Sequence, residues 1–162
     1  MQKAWWTLLP VHGIAAGKSR LAAVLDAPAR AALNHHLLTH TLEVIAAWQG
    51  DLAQCLVVSP CAEALACAEA AGALTMREAA GGDLNAALRL GAQALARRGA
   101  QRLLVLACDL PRLSAPALDA FTAQATMAEH IVLAADCAAR AITRGVYEAQ
   151  ALAQWPAYSD LL

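Results

Sequence analysis

The chain carries short apolar runs with no polar alternation, each followed by a stretch of helical spacing, and this pattern limits the folds open to it. The runs are Trp5 to Leu9, Cys55 to Val58, Leu74 to Met76, Arg102 to Ala107 and Ile131 to Ala135. A strand that is apolar on both sides has to be covered on both faces, which is the condition of a largely parallel sheet between helices. The helical stretches supply the cover. Leu33, Leu37, Leu38, Leu42 and Ile45 recur at helical spacing between about Pro28 and Trp48. Ala62 to Ala71 is stopped by Gly72, and Leu84 to Arg98, with Leu88, Ala92 and Leu95 on one face, ends at Gly99. Ser114 caps a further helix with Pro116 in its first turn. At 162 residues the chain suits a single core, so the expected architecture is one three-layer α/β/α domain over residues 1–162.

Composition excludes several classes of partner. With 59% hydrophobic and 15% charged residues the chain is no disordered tail, and a formal charge of −1 provides no field to attract nucleic acid. No apolar stretch is long enough to span a membrane, and Met1 to Trp6 lacks the apolar segment of a signal peptide, so the cytoplasm is expected. Cys55, Cys61, Cys67, Cys108 and Cys137 are odd in number, contain no Cys-x-x-Cys pair and read as reduced core residues.

Ligands of such sheets gather outside the carboxyl ends of the strands. After the first run, Pro10, Val11, His12, Gly13, Gly17, Lys18 and Arg20 lie in one short loop. Small residues let backbone N–H groups approach phosphate oxygens, a following helix N-terminus adds partial positive charge, and Lys18 and Arg20 add full charges. The chain has only two lysines, Lys3 and Lys18, against ten arginines, which gives weight to a lysine in this loop. A solvated strand-to-helix turn is the plainer reading of the same residues. Ser59 ends the second run, and Gly81-Gly82 precede Asn85 after the third; the glycines fit a flat base or a turn, and Asn85 fits a base edge or a helix cap. Asp109 follows the fourth run and Asp136 the fifth. A carboxylate there suits an oxygen ligand for Mg²⁺, while closing a turn or capping the helix near Ser114 is the structural alternative. His36, His40 and Glu43 share a helix face at metal-ligand spacing, or are simply its polar side. His130 reads as a solvated boundary residue, and Trp5, Trp6, Trp48 and Trp155 as core or interface anchors.

In chain order, the blocks Pro10-Val11, Gly17-Lys18-Ser19-Arg20-Leu21-Ala22, Val57-Val58-Ser59-Pro60, Gly81-Gly82-Asp83-Leu84-Asn85-Ala86-Ala87-Leu88 and Val105-Leu106-Ala107-Cys108-Asp109-Leu110-Pro111 resemble the 2-phospho-L-lactate guanylyltransferases. That family serves deazaflavin coenzyme biosynthesis and includes relatives that use phosphoenolpyruvate or 3-phosphoglycerate. The resemblance covers about residues 5 to 136. It implies a GT-A-like nucleotidyltransferase fold, shared with nucleotide-diphospho-sugar transferases, with GTP as donor, Mg²⁺ as cofactor and a phosphorylated three-carbon acid as acceptor. By the same resemblance Pro10, Val11, His12, Gly17, Lys18, Arg20, Ser59, Gly81, Gly82 and Asn85 contact the nucleotide. Lys18 and Asp109 are implied to be catalytic, and Asp109 with Asp136 to hold the metal.

The chain also departs from that family. His12 stands where the family has lysine, which makes one phosphate contact dependent on pH, and Cys137 to Ile142 replace a glycine-rich segment with Thr-Asn. The family's late acidic motif has no counterpart before Leu162. These departures imply weak transfer unless a partner, such as a second copy held through Trp155 and Tyr158, completes the site. They leave two alternatives: a non-catalytic nucleotide-binding or regulatory homologue lacking the acceptor half, and a sugar-nucleotide transferase.

Overall fold

A computed structural model of the chain describes residues 5–14, 21–79 and 82–124, together with the backbone of 134–135, 141–142 and 146–148. Its elements are β1 (Trp5–Pro10), α1 (Ala27–Gln49), β2 (Cys55–Ser59), α2 (Ala62–Ala70), β3 (Leu74–Arg77), α3 (Leu84–Arg97), β4 (Arg102–Val105), α4 (Ala115–Thr122), β5 (Ala134–Ala135), β6 (Ala141–Ile142) and β7 (Val146–Glu148). Five strands form one sheet in the order β3-β2-β1-β4-β7. The first four are mutually parallel, and β7 runs antiparallel to β4.

Strand alternation divides the apolar runs between two layers. Leu9, Val57 and Leu104 join Leu38, Leu42 and Ile45 of α1, Ala64 and Ala68 of α2 and Leu118 of α4 in one buried cluster. Leu8, Leu56, Val58, Leu103 and Val105 point the other way, onto Ala87, Leu88, Ala92 and Leu95 of α3. The strand order therefore reverses at β1, and the connecting helix changes face at the same point. Crossovers of one hand require this, because the path β1→β2→β3 moves outward on one side and β3→β4 returns past β1 on the other. The three-layer α/β/α expectation holds.

Local signals set the helix ends. Asp26 caps α1, its Oδ1 accepting the N–H of Ala29 at 2.8 Å, and a proline stands in the first turn. Gly50 closes the helix at φ 91°, a conformation that suits glycine. Asp83 Oδ1 accepts from Ala86 N at 2.6 Å to start α3, and Ser114 Oγ accepts from Ala117 N at 3.4 Å to start α4. The cap of α3 is thus Asp83, not Asn85, and that of α4 is Ser114, not Asp109.

Several expectations change. The strand expected over Ile131 to Ala135 is represented by Ala134–Ala135, which pairs antiparallel with Ala141–Ile142 in a separate two-stranded ladder. The fifth strand of the main sheet is instead β7, so the end of the Ile131–Ala135 run does not belong to the parallel set. Of the described cysteines Cys55 is fully buried and Cys61, Cys67 and Cys108 are half-buried, none of them in a disulfide; Cys137 lies outside the described residues. Burial pushes the Cys55 thiol up to about 12. The tryptophans at 5, 6 and 48 pack on the core edges, where the Arg102 guanidinium lies 4.0 Å from the Trp5 ring centroid and Trp48 Nε1 donates to Asp119 Oδ1 at 2.8 Å. Trp155 and His130 fall outside the described residues. Among the described residues no group of three or more His, Cys, Asp or Glu could hold a metal, so His36, His40 and Glu43 form no such site. No described helix is long and apolar enough to cross a membrane.

One contact fixes how closely α3 lies on the sheet. A Cβ at Gly91 would collide with Leu8 Cδ1 and come within 3.0 Å of Val58 Cγ2, both in the buried layer beneath the helix. Overpacking a core of this kind costs about 1–3 kcal/mol. Gly91→Val is expected to lower the unfolding free energy by about that amount in urea titration; an unchanged midpoint would mean that α3 can lift from the sheet freely.

Candidate active site

Because β1, β2, β3 and β4 are parallel, their carboxyl ends open on one edge of the sheet. The order β3-β2-β1-β4 brings there, side by side, the turn at Glu78 to Gly82, the β2–α2 junction, the loop after Pro10 and the segment reaching Asp109. Neighbouring strands lie about 4.8 Å apart, so the edge from β3 to β4 spans roughly 14 Å. Its centre is β1, where the order reverses and a crevice is expected.

The loop after β1 leaves the sheet under firm control. Val11 N–H continues the ladder to Val58 O at 2.9 Å, and the Val11 side chain is buried. His12 is exposed, and Gly13 takes φ 147°, which L side chains rarely adopt. Ile14 then re-anchors the chain. Its side chain is buried in the α1/α2 layer, and its carbonyl accepts Asn34 Nδ2 from α1 at 2.8 Å. Its N–H is directed at the Cys61 thiol ahead of α2 and pulls that pKa down from its ordinary value. Burial opposes this, and the N–H groups of Ala64 and Glu63 reinforce it. Ile14 is therefore tied to both helices of that layer immediately before residues 15–20, which include Gly17, Lys18 and Arg20 and lie outside the described residues.

The structure resumes at a turn in which Leu25 N donates to Leu21 O at 2.8 Å and Arg30 reaches the Leu25 carbonyl at 2.7 Å. Here one expectation is corrected. The N-terminus of α1 does not follow the glycine loop directly and is already capped by the Asp26 carboxylate, so it is not the open, positively polarised helix end expected to face phosphate.

The other described candidates fall into two groups. Ser59 is fully buried, its Oγ accepts Cys61 N at 3.1 Å and its carbonyl accepts Glu78 N at 3.2 Å. Ser59 and the Val11 side chain thus support the wall of the site from behind. Pro10, His12, Gly82, Asn85 and Asp109 are half-buried or exposed along the edge. Leu106 N still donates to Leu8 O at 3.0 Å beyond β4, and buried Leu106 and Leu113 fasten the segment at both ends, leaving Asp109 exposed between them. Gly81 and Asp136 lie outside the described residues.

One residue at this edge carried no sequence signal. Glu78 follows β3 directly and is half-buried; a Cβ on Gly82 would meet its Oε2 at 3.1 Å, so the carboxylate lies close against the backbone at 82. Burial raises the Glu78 pKa, His12 partly counteracts this, and Asp83 adds to it. Cys61 was likewise read as core, although it stands where the β1 loop meets α2.

The sequence profile described as a MobA-like NTP transferase domain matches residues 13–160. The chain belongs to the MobA-like NTP transferase domain family. That match runs past residue 136, where the sequence blocks gave out. Within curated proteins the chain is 40% identical over 117 residues to phosphoenolpyruvate guanylyltransferase of Sphaerobacter thermophilus, covering 72% of this chain and 55% of that protein. It is 39% identical over 115 residues to 3-phospho-D-glycerate guanylyltransferase of Phenylobacterium zucineum, covering 70% of this chain and 53% of that protein. The chain thus spans about half the length of the curated relatives it matches. Among solved structures, a cytidylyltransferase from Leptospira borgpetersenii superposes with a TM-score of 0.63 at 13% identity, over 94% of this chain and 63% of that one. A nucleotidyl transferase from Methanothermobacter gives 0.64 at 16%, over 94% and 74%. These likenesses establish the nucleotidyltransferase fold expected from the sequence.

For this MobA-like domain the raised Glu78 pKa has a measurable consequence. A carboxyl that holds its proton more tightly folded than unfolded makes ionisation unfavourable to the fold above the raised value; the penalty is absent below the unfolded value. Glu78→Gln is therefore expected to be more stable than the native chain at neutral pH. Its advantage should shrink as pH falls through the raised folded pKa and vanish below the ordinary glutamate range. Thermal unfolding across pH measures this, and a variant that is less stable throughout would contradict it.

Proposed function

We propose that the chain is a nucleotidyltransferase that moves GMP from GTP onto the phosphate of a small phosphorylated carboxylic acid, of the phosphoenolpyruvate, 3-phosphoglycerate or 2-phospholactate type. The observation that carries this reading is the identity near 40% to guanylyltransferases named for two of these acids. The layout of the edge agrees with it. In this reading the base lies toward β3 and the triphosphate over the loop after β1, so that the α-phosphate is held near Asp109 beyond β4.

The reaction is a substitution at phosphorus. A phosphate oxygen of the acceptor forms a new bond to the α-phosphorus of GTP, and the bond from that phosphorus to the bridging oxygen breaks. Pyrophosphate leaves with the electron pair, and the product joins GMP to the acid through a diphosphate. No covalent bond to the protein is required, so the protein contributes positioning and charge. Lys18 and Arg20 hold triphosphate oxygens, and His12 stands beside them. Asp109 is an exposed hard-oxygen donor on a fastened segment, which fits a divalent cation that takes one or two carboxylates together with substrate phosphates. Mg²⁺ held by Asp109, with Asp136 as the second candidate ligand, would neutralise charge on the phosphates.

Pyrophosphate release from GTP with Mg²⁺ and each of the three acids tests the assignment. Turnover is expected with at least one acid, and Asp109→Asn should reduce it at least about 100-fold, the scale of losing an electrostatic catalytic group. Nucleotide binding with no turnover on any acid would favour the non-catalytic homologue instead. Lys18→Ala should weaken GTP binding by about 1.5–3 kcal/mol, the value of a charged hydrogen bond, and an unchanged dissociation constant in calorimetry would remove Lys18 from the site.

A further inference from the structure

The β3 end of the site edge is built around an acid that the proposed phosphoryl chemistry does not use. Glu78 leaves β3 with its N–H bonded to Ser59 O at 3.2 Å, so its backbone is fixed to the neighbouring strand. Gly82 N donates to Ala79 O at 3.3 Å, and Glu78 Oε2 lies 3.1 Å from where a Cβ at 82 would stand. The carboxylate and the bare glycine backbone share the β3 end of the site edge.

Three alternative roles fit poorly. Glu78 is not the cap of α3, because Asp83 already accepts Ala86 N at 2.6 Å. Nor does the fold pair it with Asp109 directly, since the chain leaves β3 and β4 three strand spacings of about 4.8 Å apart. Nor is it retained as a stabilising ion pair: burial and Asp83 make its charge unfavourable, and His12 offsets this only in part. A half-buried acid whose charge the fold does not favour, set against the bare backbone of Gly82 at the site edge, suits a partner that arrives from solution.

We propose that Glu78 is the base-selecting residue, its carboxylate accepting the N1–H and the exocyclic N2–H of guanine while the ring lies against the backbone at Gly82. Guanine offers two adjacent donors on that edge, a match for the two oxygens of one carboxylate. Adenine places an acceptor nitrogen at the same point, so the carboxylate would face a lone pair and be left without its partner. Selection against the wrong purine then comes from a repulsive contact as well as from the loss of an attractive one. The assignment rests on the reading of the preceding subsection that GTP binds along this edge.

The test compares GTP, inosine triphosphate (which lacks the N2 amino group) and 2′-deoxy-GTP on the full chain with Mg²⁺, by calorimetry, for the native protein and Glu78→Gln. The native chain is expected to bind GTP about 10- to 100-fold more tightly than inosine triphosphate, the scale of one hydrogen bond to a charged acceptor. In Glu78→Gln the two should come within about threefold of each other, mainly through weaker GTP binding. An unchanged ratio, or an equal loss for both nucleotides, would assign Glu78 a structural role and overturn the proposal. A discrimination against 2′-deoxy-GTP that disappears in the variant would place the carboxylate on the ribose and overturn it as well. No binding of GTP to the native chain would overturn the functional reading itself, whereas binding that ignores Glu78 overturns only this assignment.

Discussion

Burial of β1 on both faces is the constraint from which the rest of the structure follows. Leu9 faces the α1/α2/α4 layer and Leu8 faces α3, both without solvent exposure, while β2 and β4 hydrogen-bond the two sides of the strand. A strand enclosed in this way cannot be an edge. The chain must place β2 and β3 on one side, return across the opposite face through α3, and set β4 on the other. All four parallel strands then end at one edge, and the order reverses at β1, the point where sheets of this kind take their ligands. The site exists because of this crossing. Gly91 belongs to the same constraint, since it lets α3 approach Leu8 and Val58 closely enough to seal the second layer.

The crevice is useful for charge chemistry only if its loops are held, and the structure does this at a few points. Ile14 is fixed by its buried side chain and by the hydrogen bond from Asn34 to its carbonyl. Ser59 links β2 both to α2 and to the start of the Glu78 turn through two hydrogen bonds. Leu106 and Leu113 fasten the segment that carries Asp109. Each of these groups is buried or half-buried, whereas His12 and Asp109 are exposed. Preorganisation comes from the apolar and hydrogen-bonded layer behind the site.

Much of this was legible in the sequence, for identifiable reasons. Runs such as Leu103-Leu104-Val105-Leu106 lack polar alternation because both faces of the strand are covered, so the runs specified the parallel sheet and hence the edge where ligands gather. Helix spans were readable from Leu37, Leu38, Leu42 and Ile45, and from Ser114 before Ala115-Pro116. Other features depend on tertiary geometry. Ala134–Ala135 sits in a run as apolar as the others, and no local signal tells a strand of the main sheet from one in a separate ladder. Asp26 and Asp83 look like ordinary acids until their caps are formed, and taking account of them moves the open helix end away from α1. Cys61 resembled any thiol beside apolar neighbours, and its distinguishing partner is the N–H of Ile14, 47 positions earlier in the sequence.

Glu78 shows the same limit where specificity is concerned. In sequence it is an acid between a short strand and a pair of alanines, the usual setting of a solvated side chain. Pairing of β3 with β2 and the turn back to Gly82 give it its position, so its environment is created by the fold and not by its neighbours in the chain. The blocks that carried the family resemblance, such as Gly17-Lys18 and Gly81-Gly82, are rich in glycine and charge and so stand out in the sequence. A residue that chooses between bases needs only a donor or acceptor at the correct point on the edge, and many local sequences can deliver one. Motifs therefore carry a family resemblance, while the setting of a single side chain such as Glu78 depends on strand register at the β3 end of this sheet.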